Sequence, residues 1–482
     1  MRPTSLLPLL LAVSALLTVA APAQAREGFS PERVDAFVTA YLDRHGLPGA
    51  AVAVVRDGET VYEAGYGEDS EGRPITQHTR LRVGSVSKSF TAFAVLRLVD
   101  QGRVDLDAPV ARYLPDAAPE GVTVRQLLSH TSGLPNPTVV GPARTLEEAV
   151  AGIEDLPPAA DPGTSYRYSN LNYWVAALLV ERVAGQDFTE HLAREVFAPL
   201  GMDDTVATTT TRDPVDGLAP GHVTAYGAAF PAPTPEAMNS GSGAVVSTSH
   251  DMAAWLAMQQ REGVGPNGGR LLPAALVEES HTAQPAAERA GLGWRHSGPQ
   301  VEPARISHSG VVSGFNSQQD LVPGSGYGVV VLLNSFSPSR ENAYEISSGI
   351  IDLTEGRTPD PGTATATVID LVLGAATAAV VVLGVLGLRR SPRWAARRAS
   401  WPAWGFALRL LPQCLAPALA VFLFLVAPAL QDNSYVPVDV FWLFPALAVL
   451  VGALAVVGAG LTVARAAARI RSVRAAGPPR PV

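Results

Sequence analysis

Three long apolar stretches, at about 368–388, 408–430 and 440–463, set the first limit on what this chain can fold into. Each suits the roughly 30 Å apolar core of a bilayer, which an α-helix of about 20 residues crosses. Arg389, Arg390, Arg393, Arg397 and Arg398 follow the first stretch, and Arg465, Arg469, Arg471 and Arg474 follow the third. The connection at 431–439 carries no positive charge. Positive residues favour the cytoplasmic side, so both arginine clusters are expected in the cytoplasm and the connection outside. No ionisable residue falls in mid-span, which argues against a transport function. Cys414 lies in the second stretch; as the sole cysteine it excludes an internal disulfide framework and a cysteine-based metal site.

The N-terminal segment points to the same topology. Arg2 precedes an apolar stretch at 6–21, and Ala23-Gln24-Ala25 is a small-x-small cleavage site. Residues 1–25 therefore read as a secretory signal, with an uncleaved anchor as the alternative, and in both cases the next segment is exported. A globular region is expected over 26–356, a linker rich in Pro and Thr over 357–367, a three-helix transmembrane region over 368–464, and a basic cytoplasmic tail over 465–482. The two parts differ in charge. From residue 368 onward eleven Arg face only Asp370, Asp432 and Asp439, a net of +8, while the whole chain carries −8, which leaves −16 on residues 1–367. An acidic exported region argues against nucleic acid as a partner. The partners expected are a small-molecule or peptide substrate outside the membrane and the lipid bilayer; a protein partner is not specified.

Within the globular region, Ser30 and Pro31 open an amphipathic helix whose apolar face is Val34, Phe37, Val38, Tyr41 and Leu42, with Gly46 as its C-cap. Residues 51–55 and 60–64 read as strands around an Asp57-Gly58 turn. A helix continues from Ser85 through 90–99. Residues 105–290, rich in Pro and Gly, read as helical or irregular. A β-branched run at 329–333 and a helix at 341–353 close the region. Strand signals thus cluster at both ends, which predicts an α+β fold: one antiparallel sheet flanked by helices, with a helix-rich insertion.

Three short elements carry chemistry. The chain has 36 Lys plus Arg, of which one is lysine, Lys88. Arg serves at most solvated or ion-paired positions but cannot release its proton near neutral pH, so a lone Lys marks a position where a titratable amine is useful; chance retention is the other reading. Lys88 lies three residues after Ser85, on the same helical face. A serine hydroxyl needs an adjacent base, and a lysine becomes one when burial or nearby charge lowers its pKa. Tyr168-Ser169-Asn170 precedes a helical stretch; a tyrosine oxygen can relay a proton and an amide can position a carbonyl, although such a triplet is also an ordinary helix cap. His308-Ser309-Gly310 is the third, where small residues let a strand approach a ligand closely; a half-buried strand histidine is the alternative.

In this order the three elements resemble the S-x-x-K, Y-x-N and H-x-G (or K-T-G) motifs of the serine β-lactamase and penicillin-binding superfamily, especially its class C β-lactamase, D-alanyl-D-alanine carboxypeptidase and esterase branch. Leu127-Leu128-Ser129-His130-Thr131-Ser132-Gly133-Leu134-Pro135, Pro199-Leu200-Gly201-Met202 and the stretch 240–251 (SGSGAVVSTSHD) are similar to that family as well. The resemblance covers about 29–352. It implies a β-lactamase/transpeptidase-like fold without cofactor or metal, with Ser85 as acylated nucleophile and Lys88 and Tyr168 sharing general-base duty. It further implies that Asn170, His308, Ser309 and Gly310 bind substrate, and that the backbone N–H groups of Ser85 and Val311 form an oxyanion hole. His130 is expected to be structural. No S-D-N element is present, so a class A arrangement is not expected. His308 stands where many relatives have Lys, and histidine is mostly neutral at pH 7. The resemblance therefore implies carboxypeptidase-like or esterase-like action ahead of β-lactam hydrolysis. The alternatives are a non-catalytic muropeptide- or ligand-binding sensor on a membrane anchor, and a tail that binds partners in its own right.

Overall fold

The computed structural model describes residues 29–475 apart from 117–118, 137–142, 154–155, 313, 338–339, 427–440 and 443. The signal-like segment 1–25 and the connection at 431–439 lie outside the described residues.

The chain opens with α1 (Pro31–His45), ended by Gly46 at φ +62°. Ser30 precedes it as expected but does not cap with its side chain. Its carbonyl accepts from the N–H groups of Arg33 and Val34, and its hydroxyl turns to the Glu32 carboxylate. Strands β1 (Gly49–Arg56) and β2 (Glu59–Gly67) then form a hairpin. Asp57 and Gly58 both have positive φ there, the conformation that a tight hairpin turn with the right twist requires.

A short turn at Gly84–Val86 and α2 (Ser87–Asp100) follow, then α3 (Leu171–Ala184) and α4 (Ser249–Gln260). After them come β3 (Arg295–His296), β4 (Ile306–Val312), β5 (Phe315–Val322), β6 (Tyr327–Leu333) and α5 (Asn342–Thr354). The strands form one six-stranded antiparallel sheet in the order β2-β1-β6-β5-β4-β3. It is built from both ends of the globular region, with the helices of the insertion packed on one face.

Burial explains the strand sequences. Ala50, Val52 and Val54 of β1 pack with α1 and α5, while Ala51, Ala53 and Val55 face the insertion side. A strand covered on both faces has no polar side to present, so its sequence is an unbroken apolar run. Each fully buried Val contributes about 1.5–3 kcal/mol relative to an exposed one.

The reading of 105–290 as helical or irregular needs correction. This stretch also supplies Val206–Ala207, His222–Ala225, Ala228–Pro231 and Val245–Ser247 to two three-stranded sheets. These strands are two to four residues long and pair with distant segments, such as Leu81–Arg82 and Ser335–Phe336. Such short pieces give no readable alternation.

The expected linker is held against the globular region. Arg44 donates to the Gly362 carbonyl (2.9 Å), His45 bonds the Pro361 carbonyl (2.8 Å) and Arg340 donates to the Thr363 carbonyl (2.6 Å). Beyond it run α6 (Thr365–Ala396), α7 (Ala403–Val421, continued by a π-helical turn Phe422–Val426) and α8 (Pro445–Ala475). By length and composition these three helices could cross a membrane.

Candidate active site

Ser85 sits in a 3₁₀ turn (Gly84–Val86) that leads directly into α2. The sequence suggested that Ser85 begins an α-helix; it lies instead in the turn just before α2, and Lys88, in the first turn of α2, is three residues on and faces the same side. Lys88 Nζ lies 3.1 Å from Ser85 Oγ, 2.8 Å from Asn170 Oδ1 and 2.6 Å from the Ser242 carbonyl oxygen. Lys88 is fully buried, and no carboxylate reaches it among the described residues. Burial holds its pKa well below the usual lysine value.

A protonated Lys88 would donate to all three oxygens. Two of the three partners are carbonyl oxygens, which only accept. A neutral amine has two N–H groups and one lone pair. In the neutral form that burial favours, N–H groups directed to Asn170 and Ser242 would leave the lone pair toward the Ser85 hydroxyl.

Tyr168 approaches from the other side, its hydroxyl donating to Ser85 Oγ at 2.8 Å. Burial raises its pKa above the ordinary phenol value, so it is a neutral hydroxyl at physiological pH. The Lys88 nitrogen lies 5.0 Å from the centre of its ring. Asn170 immediately precedes α3 without capping it through its side chain. Its Oδ1 is committed to Lys88, and its amide NH₂ has no hydrogen bond among the described residues.

His130 holds this segment in place. It adopts φ +59°, and its Nδ1 receives the Ser169 N–H (3.2 Å) and the Asn172 amide (3.1 Å). Its ring lies 4.5 Å from that of Tyr168. Burial, then the neighbouring Lys88, holds the imidazole neutral. Ser169 Oγ donates to the Pro135 carbonyl, and Asn136 Oδ1 accepts from the Asn170 N–H at 2.9 Å. The 127–136 stretch thus wraps around Tyr168-Ser169-Asn170.

On the sheet side, β4 lies against the Gly84–Val86 turn. A Cβ at Gly310 would fall 2.1 Å from the Val83 carbonyl and 3.0 Å from the Ser85 nitrogen, and one at Gly84, which has φ +50°, would meet the Val311 nitrogen at 2.8 Å. Glycine at both positions lets β4 and the Gly84–Val86 turn pack backbone against backbone. His308 Nδ1 is 2.6 Å from the Ser309 carbonyl, which only accepts, so Nδ1 carries the proton and Nε2 is left as an acceptor. Burial, then Lys88, lowers the His308 pKa to about 4.

A cavity of about 510 Å³ opens over these groups, lined among others by Ser85, Tyr166, Tyr168, Arg295, His308 and Val311. Three contributors were not read from the sequence. The Ser242 carbonyl is a main-chain group. Tyr166 lies two residues before Tyr168, a spacing that shares one face of an extended segment and could have drawn attention to it. Arg295 stands on β3 opposite Ser307, its guanidinium 5.2 Å from the Tyr166 ring and without an ion pair among the described residues; nothing local in the sequence marks it.

Comparison with known proteins agrees with this geometry. The model of the family described as Beta-lactamase matches residues 34–348. The chain is 28% identical over 350 residues to the unguisins hydrolase ungD' of Aspergillus campestris (strain IBT 28561), covering 66% of this chain and 64% of that protein. It is 24% identical over 324 residues to protein flp of Staphylococcus aureus (strain COL), covering 63% of each. The match thus spans less than two thirds of the length of these relatives. Among solved structures, the octameric penicillin-binding protein homologue from Pyrococcus abyssi aligns with TM-score 0.59 and 25% identity over 68% of this chain and 78% of that one. SurE aligns with TM-score 0.57 and 26% identity over 69% of this chain and 78% of its own.

Proposed function

We propose, from the premise that this chain belongs to the beta-lactamase family, that it is a membrane-anchored, extracytoplasmic serine hydrolase that cleaves an amide or ester through an acyl-enzyme on Ser85. The observation that carries this reading is the setting of Lys88: a fully buried amine with no carboxylate beside it among the described residues, 3.1 Å from the hydroxyl it would deprotonate.

In the proposed reaction Ser85 Oγ attacks the substrate carbonyl carbon as its proton passes to Lys88 Nζ. Negative charge on the former carbonyl oxygen is held by the N–H groups of Ser85 and Val311, at the N-terminal end of α2, where the helix dipole favours an anion. As the intermediate collapses, the leaving nitrogen or oxygen takes the Tyr168 hydroxyl proton, and Lys88 returns one to Tyr168. Water then repeats the sequence on the ester, with the same groups in reverse roles. Asn170 NH₂ is free to meet a substrate carbonyl.

Two features bear on substrate. Neutral His308 offers an acceptor and no charge, whereas Arg295 is a fixed cation at the cavity wall. A substrate with a free carboxylate, as in a D-amino-acid peptide, fits that arrangement. A solved structure of SurE with D-Leu is in keeping with such a ligand class among similar proteins.

The test is a substrate panel of a D-Ala-D-Ala peptide, a p-nitrophenyl ester and a β-lactam, with a fluorophosphonate label to report on Ser85. The reading expects wild-type labelling that Ser85→Ala abolishes, and turnover of the peptide or the ester. Ligand binding without acylation or product release would favour a sensor module instead.

A further inference from the structure

We propose that a cluster of four arginines at the far end of the membrane helices is a binding site for the phosphate of an anionic phospholipid. The cluster lies where α6, α7 and α8 meet, at the end of α6 remote from the hydrolase region. Arg398 and Arg465 stack on the same indole, Trp394, at 4.3 and 4.5 Å from its centre. Arg398 also lies 5.4 Å and Arg409 5.9 Å from Trp401, and Arg469 lies 4.3 Å from Phe406. Trp394 and Phe406 are in edge contact at 5.5 Å, so Arg398, Arg465 and Arg469 share one aromatic platform, and Arg409 joins them at Trp401.

No ion pair engages these arginines among the described residues. No Asp or Glu occurs between Asp370 and Asp432 or after Asp439. The polar contacts inside the cluster are bonds from Arg398 to the Trp394 carbonyl (3.0 Å) and from Arg469 to the Trp401 carbonyl (2.6 Å). Arg398 Nε, Arg465 Nε and Arg469 Nη1 are buried without an acceptor, and Arg465 makes no hydrogen bond among the described residues. Two guanidiniums on one ring repel each other, more strongly as water is removed. The aromatic faces offset part of that repulsion, and an anion with several acceptor oxygens would offset the rest. A phosphate matches guanidinium donors geometrically.

The setting selects a lipid as the source. Trp401 and Trp404 are exposed beside the cluster, and indoles gather at headgroup depth. Basic pockets between membrane helices hold anionic headgroups by this charge and geometry. The proposal rests on the three helices crossing a bilayer.

The experiment uses the full-length protein in nanodiscs of mixed phosphatidylglycerol and phosphatidylcholine, with retained lipids counted by native mass spectrometry. Wild type should retain phosphatidylglycerol at least tenfold over phosphatidylcholine. Arg398→Gln with Arg465→Gln should abolish the preference, and Trp394→Leu, which keeps every charge, should weaken it. Arg389→Gln with Arg390→Gln removes the same charge from exposed positions and should keep it. Ser85 labelling should be unchanged in all of these variants. No preference in wild type overturns the proposal, as does equal loss in both double variants or full displacement by millimolar inorganic phosphate. Release of the protein from membranes by an alkaline wash would instead defeat the membrane-crossing reading.

Discussion

Lys88 Nζ stands 3.1 Å from Ser85 Oγ, and its remaining partners are two carbonyl oxygens. With no carboxylate beside it among the described residues, the buried amine is shifted toward its neutral form, the form able to take a proton from Ser85.

Lys88→Arg should therefore abolish turnover, because a guanidinium cannot accept the proton. A loss of about 10²–10⁴-fold is the range for a removed general base. Steady-state rates and the rate of fluorophosphonate labelling measure it, and wild-type rates in this variant would defeat the base role.

The lowered Lys88 pKa also sets a sign for stability. Between the folded pKa and about 10.4 the unfolded chain binds a proton at this residue that the folded chain does not. Stability then rises with pH across that window, by up to about 1.4 kcal/mol per pH unit from this residue. Denaturant titrations from pH 7 to 10 should show wild type gaining relative to Lys88→Met. Parallel curves would mean that Lys88 is charged in the fold.

Tyr168→Phe removes the donor to Ser85 Oγ while keeping the ring beside His130. Acylation and deacylation should both slow, by about 10²-fold or more, with little change in melting temperature. Rapid-mixing acylation and steady-state assays separate the two steps. Because burial raises the Tyr168 pKa, the activity profile should show no limb from a Tyr168 phenolate near neutral pH.

Gly310→Ala places a methyl 2.1 Å from the Val83 carbonyl and 3.0 Å from the Ser85 nitrogen. The strand must move away from the nucleophile turn, which separates the two N–H groups proposed for the oxyanion. Loss of one such donor costs about 10²–10³-fold in kcat. Far-ultraviolet circular dichroism should remain native, which distinguishes a displaced strand from an unfolded chain.

His130→Ala should act through Tyr168. It leaves the Ser169 N–H and the Asn172 amide without their acceptor, at about 1–3 kcal/mol for a buried unpaired group. Melting temperature and kcat should fall together, with the pH profile of activity unmoved because His130 is already neutral. A shifted profile would give His130 a proton-transfer role instead.

Much of the architecture was legible because it follows from local pattern. The apolar face of α1, the Asp57-Gly58 hairpin and the unbroken runs of β1 and β6 each encode burial within a few residues. The short strands at Val206–Ala207 and Val245–Ser247 were not legible, since two or three residues set no period and their partners are distant in sequence. The same division runs through the site. Ser85 and Lys88 are three residues apart, and their meeting is a matter of helical pitch. Arg295 and Tyr166 meet only because β3 is carried across to the tyrosine segment.

The sequence by itself determined the candidate site groups: one lysine near a serine, a tyrosine with an asparagine, and a glycine after His308-Ser309. It also determined that three helices are apolar enough for a bilayer. Only the tertiary structure decided what surrounds the Lys88 amine, because one of its partners is a carbonyl at Ser242, contributed by a segment 154 residues away. Main-chain groups are alike in every residue, and which of them faces a given amine is fixed by packing alone.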